Sequence, residues 1–186
     1  MAAMKAVNPG VSFAELQQWP DDGLRYELYD GEVVVVPAPI NRHQRVVMHV
    51  AYLLLDYERA TGGLAFSAPN DIVFSEYNVL QPDVLFFRHE RRHLVDMMAH
   101  TRVPPDLAVE VLSPSTEARD RGRKMEIFSR FGVAEYWIID PIANTLELYV
   151  HDGHALVLAA EYREGHEITS PTLPGLRFAA ARVFEE

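Results

Sequence analysis

Two acidic residues stand in stretches of sequence that otherwise have the pattern of buried strands. Asp83 opens the apolar run Val84-Leu-Phe-Phe, and Glu110 lies in the middle of Leu107-Ala-Val-Glu-Val-Leu. Because side chains alternate between the two faces of a strand, runs that are apolar on both faces predict strands covered on both sides. A carboxylate there is costly unless it is paired, hydrogen-bonded or bound to a cation. If the two strands are neighbours, the acids converge and predict a site for Mg²⁺ or Mn²⁺, which prefer oxygen ligands.

A lysine in the next helical stretch would complete this group. Lys124 shares one helical face with Ile127, Phe128 and Phe131, so its ammonium is expected to point toward the sheet. Beside two carboxylates, a lysine can orient an attacking water or stabilise the negative charge of a transition state. Asp120, one turn earlier, would either steady Lys124 or cap the helix.

Each of these residues also has a simpler interpretation when it is taken alone. Glu110 would be half of a buried ion pair, and Lys124 would extend along the core surface to bring its charge to water. Glu27 would be a solvent-facing strand residue. His43, on the apolar stripe of a long helix, would be a core histidine, with a role as a base or beside a metal ligand as the alternative. The combination of Asp83, Glu110 and Lys124 is what favours a functional site.

The elements that must position these residues alternate between strands and helices. Hydrophobic periodicity and turn residues predict helices over 12–19, 41–59 and 117–131, and a hairpin over 26–36 that turns at Asp30-Gly31. Further strands are expected over 64–67, 72–75, 83–87, 107–112, 135–140, 146–150 and 156–162. This order predicts an α/β (mixed α+β) fold, with a mixed β-sheet flanked by helices. We expect one domain over 1–186, with 1–12 as a loose N-terminal segment.

Composition limits the class of protein. With 48% hydrophobic and 24% charged residues, the chain can bury a core. No apolar run is long enough to span a bilayer or to resemble a signal peptide. The absence of cysteine excludes disulfides and thiolate metal sites, and it is typical of a cytoplasmic protein.

The charge balance opposes a nucleic-acid partner, although basic residues cluster locally. The net charge is −10, whereas affinity for DNA comes largely from cationic contacts with phosphate. Arg119, Arg121 and Arg123 lie beside Lys124 in the sequence and are the candidate contacts with nucleic acid. The simpler interpretation is a solvated helix face.

One short motif suggests a different chemistry. His89-Glu90-Arg91-Arg92-His93 fits the metalloprotease pattern H-E-x-x-H, in which two histidines on one face of a buried helix bind zinc. Here the flanking residues lack the apolar periodicity of a buried helix, and no third ligand is evident. A zinc metalloprotease is therefore the remote alternative.

Longer segments resemble a known family. They are Tyr26-Glu-Leu-Tyr-Asp-Gly-Glu, Gln81-Pro-Asp-Val, Asp106-Leu-Ala-Val-Glu-Val-Leu-Ser-Pro-Ser-Thr, Lys124, and Gly132-Val-Ala-Glu-Tyr-Trp-Ile-Ile-Asp-Pro. Together they are similar to the PD-(D/E)xK nuclease superfamily and, within it, to the bacterial restriction-endonuclease family called Uma-two. The resemblance covers residues 13 to 180 in order.

The resemblance implies a restriction-endonuclease-like core and a metal held by Asp83, Glu110 and the carbonyl of Val111. It also implies that Glu27 completes the acidic site. The sequence departs from the superfamily pattern at Leu112, which stands where a lysine is usual. The resemblance then implies that Lys124 replaces the usual lysine, and that its ammonium reaches the same position in the site from the following helix.

The leading hypothesis is therefore a Mg²⁺-dependent (or Mn²⁺-dependent) endonuclease that hydrolyses DNA phosphodiester bonds. The competing hypothesis is a catalytically silent nuclease fold that serves as a binding or assembly module, which the net charge and Leu112 both favour. A homodimer is expected because cleavage of a duplex commonly uses two sites.

Overall fold

A computed structural model describes residues 10–185 of the chain. In chain order, its helices and strands are α1 (Phe13–Leu16), β1 (Arg25–Tyr29), β2 (Glu32–Val36), α2 (Asn41–Thr61), β3 (Leu64–Ser67), β4 (Ile72–Ser75), β5 (Asn78–Leu80), β6 (Val84–Phe87), β7 (Leu107–Val111), α3 (Glu117–Arg119), α4 (Met125–Arg130), β8 (Glu135–Asp140), β9 (Thr145–His151), β10 (Leu156–Arg163), β11 (Glu167–Thr169), β12 (Arg177–Ala179) and α5 (Ala181–Phe184). A 3₁₀ helix spans His89–Leu94, and a π-helical turn spans Asp120–Lys124.

The main sheet has six strands in the order β10-β9-β8-β7-β6-β3. Its centre is β7, which pairs antiparallel with β6 and parallel with β8. The predicted mixed sheet flanked by helices is thus confirmed. The strands β5, β11 and β12 were not predicted, because three residues are too few to establish an alternating pattern.

Two apolar layers cover this sheet. On one face, α2 packs its stripe Val46, Val50 and Leu54 against the side of β7 that carries Val109 and Val111. A second apolar cluster lies on the opposite face. Its members from β7 and β8 and from the α4 helix are Ala108, Leu112, Ile127, Phe128, Tyr136 and Ile138. Both faces of β7 are therefore buried, as its sequence predicts.

The predicted helix over 117–131 has the expected extent but not the expected regularity. Its middle turn, Asp120–Lys124, is π-helical and links α3 to α4. The helix ends at Gly132, whose φ of 76° is a conformation that glycine adopts without steric cost. Helical periodicity does not reveal a single wider turn, so this irregularity was not predicted.

A second sheet, in the order β2-β1-β5-β4, carries the predicted hairpin. Asp30 (φ 49°) and Gly31 (φ 83°) form its two-residue turn, with the left-handed backbone that tight hairpins require. This sheet presents Glu27 from β1. The chain leaves β5 through Gln81 and enters the main sheet at β6, so the two sheets are joined directly beside Asp83.

The segment predicted to be loose falls partly outside the described residues, which begin at Gly10. Within it, Val11 N donates to Gly31 O at 2.8 Å, and the Ser12 side chain caps α1. Within residues 10–185, no helix combines the length and apolar character that crossing a membrane requires.

Candidate active site

Neighbouring strands bring Asp83 and Glu110 together. In the antiparallel pair of β6 and β7, Val84 lies opposite Val109. Continuing that register by one residue places Asp83 opposite Glu110, and side chains opposite each other in such a pair project from the same face. Asp83 is anchored to the same strand, because Val111 N donates to its Oδ2 at 2.8 Å.

The ammonium of Lys124 lies among buried carboxylates. Lys124 Nζ is 2.6 Å from Glu110 Oε1 and 2.9 Å from Glu27 Oε1, and it donates to the backbone oxygen of Gln81 at 3.3 Å. The Lys124 side chain is only 4% exposed, so the expectation of a charge reaching water is wrong. The lysine reaches the carboxylates from the helix, as its helical face predicts.

Glu27 is part of this group and not a solvent-facing strand residue. It is 1% exposed, and its carboxylate accepts from the Tyr29 hydroxyl at 2.7 Å and from Gln81 N at 2.7 Å, in addition to its contact with Lys124. The solvent-facing interpretation is therefore wrong. The reason is that the second sheet packs this face of β1 onto the helix that carries Lys124.

Acidic groups outnumber basic ones in this region. Buried Glu27, Glu110 and Asp120, together with partly exposed Asp83, face one ammonium. Burial raises the pKa of Glu110 well above its ordinary value; Lys124 opposes this, and three nearby carboxylates raise the pKa further. Burial also raises the pKa of Asp120. For Lys124, burial opposes the charged form, but Glu110 and Glu27 raise its pKa.

The raised pKa of Glu110 and the raised pKa of Lys124 are compatible with each other. Glu27 accepts hydrogen bonds from the Tyr29 hydroxyl and Gln81 N and lies 2.9 Å from Lys124 Nζ, whereas Glu110 Oε1 lies 2.6 Å from the ammonium without hydrogen-bond geometry. The site therefore holds more carboxylate than its own cation can neutralise.

His43 is buried, as predicted, but it is more than a core residue. Its Nε2 lies 3.2 Å from Asp83 Oδ2, and its buried Nδ1 has no hydrogen-bond partner. It approaches Asp83 from α2, on the opposite side of the strand end from Lys124. His43 can thus orient the Asp83 carboxylate.

A cavity of about 160 Å³ opens beside these groups. Among its lining residues are Asp83, Glu110, Val111, Asp120 and Lys124. Asp120 occupies the π-helical turn, and its buried Oδ2 has no hydrogen-bond partner. Asp120 makes no direct ion pair with Lys124 and does not cap the helix, but its charge helps to raise the pKa of Lys124.

No cluster of three or more His, Asp or Glu side chains within residues 10–185 has the geometry of a complete metal cage. The acidic group instead offers two carboxylates from adjacent strands, Asp83 and Glu110, next to the backbone of Val111.

The three predicted arginine contacts have different surroundings. Arg121 binds Glu147 through both terminal nitrogens, at 2.7 and 2.9 Å, and also pairs with Glu117. Arg123 pairs with Glu32 at 2.6 Å. Arg119 lines the cavity.

The H-E-x-x-H segment does not have the geometry of a zinc site. Residues 89–94 form a 3₁₀ helix without a buried residue, and in such a helix positions four apart lie on different faces. Its arginines have a structural role, since Arg91 and Arg88 both pair with buried Asp106 at 3.2 and 3.0 Å. The zinc-protease interpretation is therefore wrong.

Two residues of the site were missed in the sequence. Tyr29 donates to Glu27, and the backbone of Gln81 contacts both Glu27 and Lys124. A signal for Tyr29 exists, because it stands two residues after Glu27 and so shares its strand face. Gln81 acts through its backbone, which residue type does not reveal.

The mixed sheet, with acids at the facing ends of β6 and β7 and a lysine from the adjacent helix, defines a restriction-endonuclease-like protein. The Uma-two family model, described as "Putative restriction endonuclease", matches residues 13–181. The chain therefore belongs to the Uma-two family.

The chain is also similar to a solved structure and to a curated relative. The chain resembles a crystal structure described as a putative nuclease from Anabaena variabilis ATCC 29413, with a TM-score of 0.77 and 17% identity over 94% of this chain and 97% of the other. At this identity the likeness concerns the fold. The chain is also 26% identical to an uncharacterized protein of Synechocystis sp. (strain PCC 6803), over 95% of this chain and 92% of the relative.

Proposed function

We propose that this protein is a Mg²⁺-dependent endonuclease that hydrolyses DNA phosphodiester bonds. The observation that carries the proposal is the excess of buried carboxylate beside a cavity at the junction of β6 and β7. Family membership supports the reaction class, and the cavity supports access of a phosphate group to the acids.

The residues fit a hard divalent cation. Asp83 is held in place by Val111 N and His43 through one oxygen, which leaves its other oxygen available as a ligand. Mg²⁺ in proteins is typically bound through one or two carboxylates, with water and substrate oxygens completing its coordination. Asp83, Glu110 and the Val111 carbonyl would hold the ion. When bound, it would lower the pKa of a water molecule and offset phosphate charge.

The side chains around these acids have separate tasks. Hydrolysis forms a bond from a water oxygen to phosphorus and breaks one ester bond, while the water proton leaves to solvent and the alkoxide gains one. Lys124 would position the nucleophile or offset the charge that develops on phosphorus. Glu27 holds Lys124 in its charged form, and His43 orients Asp83. Such hydrolysis depends mainly on positioning and electrostatics.

Two further parts of the proposal concern assembly and location. We propose a homodimer, because the candidate site of the described residues lies in one cavity and a duplex has two strands to cut. We also propose a cytoplasmic location, which the lack of cysteine supports, as a DNA substrate does.

The test compares wild type with Asp83→Asn and Glu110→Gln. These changes preserve shape but remove the carboxylate charge, so we expect both Mn²⁺ binding by calorimetry and Mg²⁺-dependent plasmid cleavage to be lost. Glu117→Gln is the matched control, since Glu117 is an exposed carboxylate on the neighbouring helix. Equal metal binding and cleavage in wild type and both site variants would disprove the assignment.

A non-catalytic nuclease fold remains the second candidate. Leu112, at the usual lysine position, is buried in the apolar cluster, and Lys124 is already paired by two carboxylates. Metal binding that depends on Asp83 and Glu110, with no cleavage of any DNA or RNA tested, would favour this binding or assembly module.

A further inference from the structure

Arg119 differs from the other arginines of its helix in what surrounds its guanidinium. Arg121 and Arg123 are both paired with carboxylates. Arg119 forms no ion pair with a carboxylate of residues 10–185, and its buried Nε has no hydrogen-bond partner. It is half-buried, with its guanidinium carbon 6.0 Å from the centre of the Tyr29 ring. Arg119 therefore has no direct ion pair among the described residues, although its charge acts on Asp120 and opposes the raised pKa of that carboxyl.

The hydroxyls of the preceding turn border the same cavity. Ser113 and Thr116 line it together with Arg119, Asp83 and Glu110. Thr116 Oγ1 lies 3.0 Å from Ser113 Oγ and accepts from Ser113 N at 3.3 Å. Thr116 stands one turn before Arg119, so the hydroxyl and the guanidinium lie on one side of the helix. Hydroxyl and guanidinium groups are the usual donors to phosphate oxygens.

We propose that Arg119, with the Ser113 and Thr116 hydroxyls, forms a backbone-phosphate subsite that positions a DNA phosphodiester against Asp83 and Glu110. This rests on the proposed function and deepens it, because it names the residues that hold the substrate. In a chain of net charge −10, a cation beside the acids lessens the repulsion that phosphate would meet there. In the Ser-Pro-Ser-Thr segment, the hydroxyls of Ser113 and Thr116 would thus donate to the phosphate.

The test measures binding of a fluorescein-labelled DNA duplex to the full chain by anisotropy over a range of salt concentrations. Ca²⁺ replaces Mg²⁺ so that the duplex stays intact. Arg119→Ala is expected to weaken binding about tenfold for any sequence, and to reduce the slope of log K against log salt by about 0.9, the loss of one phosphate contact. Arg119→Lys should retain the slope.

Arg130→Ala is the matched control, because it removes the same charge from the far end of the same helical segment, where Asp30 neutralises it. Its affinity and slope should equal those of wild type, and thermal unfolding identifies folded variants. If Arg119→Ala does not fold, Arg119→Gln takes its place.

The possible results separate the subsite from the function. If wild type binds and cleaves DNA but Arg119→Ala behaves as Arg130→Ala does, the subsite is wrong and the proposed function stands. If wild type binds no duplex at all, both are wrong. If Arg119→Ala binds weakly with a reduced slope while Arg130→Ala matches wild type, and Asp83→Asn does not cleave, both are supported.

Discussion

At the scale of single residues, the main feature is that the charged side chain of Lys124 is buried, which is energetically unfavourable for a lysine. Transferring an ammonium group from water into the protein interior costs on the order of several kcal/mol, unless hydrogen bonds and opposite charges compensate for the lost hydration. Lys124 obtains that compensation from Glu27, Glu110 and a backbone oxygen. The same contacts leave the carboxylates dependent on the lysine, because they are buried as well.

Because the carboxylates depend on Lys124, a substitution that removes the lysine charge but keeps a side chain of similar size should destabilise the protein. Lys124→Met should destabilise the fold by about 3–5 kcal/mol at neutral pH, since two buried carboxylates lose their cation. Unfolding in urea measures the change. The double variant Lys124→Met with Glu27→Gln should recover part of the loss, because one uncompensated charge is removed. A Lys124→Met protein within about 1 kcal/mol of wild type would contradict a structural ion pair.

At the scale of elements, the helix that carries Lys124 and Arg119 is attached to its neighbours by ion pairs. Arg121 joins it to Glu147 on β9, and Arg123 joins it to Glu32 on β2. Both arginines belong to the π-helical turn, and π turns in helices occur frequently at functional sites. The attachment keeps the turn, with Asp120 and Lys124, in place against the strands.

The link to β9 predicts a dependence of stability on pH. Hydrogen bonding to Arg121 lowers the pKa of Glu147 below its ordinary 4.5. A carboxyl with a lowered folded-state pKa binds fewer protons than in the unfolded chain, so its contribution is present above 4.5 and lost as pH falls through the folded value. Glu147→Gln should lower the melting temperature near neutral pH, with the difference from wild type shrinking in acid.

Melting curves between neutral and acidic pH measure this effect. Glu117→Gln serves as the comparison, because Glu117 binds the same arginine but is 53% exposed and should contribute less. A difference between wild type and Glu147→Gln that stays constant over the whole pH range would rule out the ion pair as its cause.

At the scale of the whole molecule, an acidic chain carries its candidate nuclease chemistry in one cavity. The net charge of −10 means that DNA must be held by local cations and by a bound metal. The candidate site formed by residues 10–185 lies in a single cavity, which is the basis for the proposed homodimer, since two copies would address the two strands of a duplex.

The dimer predicts both a mass and a cleavage pattern. Sedimentation should give twice the chain mass of 21.1 kDa. Supercoiled plasmid should become linear without accumulation of the nicked circle, because both strands are cut in one encounter. A monomer that first nicks nearly all of the plasmid would show that the strands are cut separately.

Much of this architecture is readable from local sequence. The strands around Asp83 and Glu110, the inward face of Lys124, the turn at Asp30-Gly31 and the helix end at Gly132 all follow from periodicity and backbone preference. These properties depend on neighbours a few residues away, which the sequence displays directly.

Other features depended on tertiary structure. Glu27 is buried because a separate sheet packs its strand against the helix, and Arg119 is distinct because its neighbours in the sequence meet carboxylates from distant strands. His89 and His93 belong to a 3₁₀ helix that is fastened to buried Asp106 by Arg91 and by the preceding Arg88. The sequence by itself thus determined the fold and the three central residues of the site. Which other charges join them was decided by long-range packing, because ion pairing and burial depend on partners that the chain brings together only when folded.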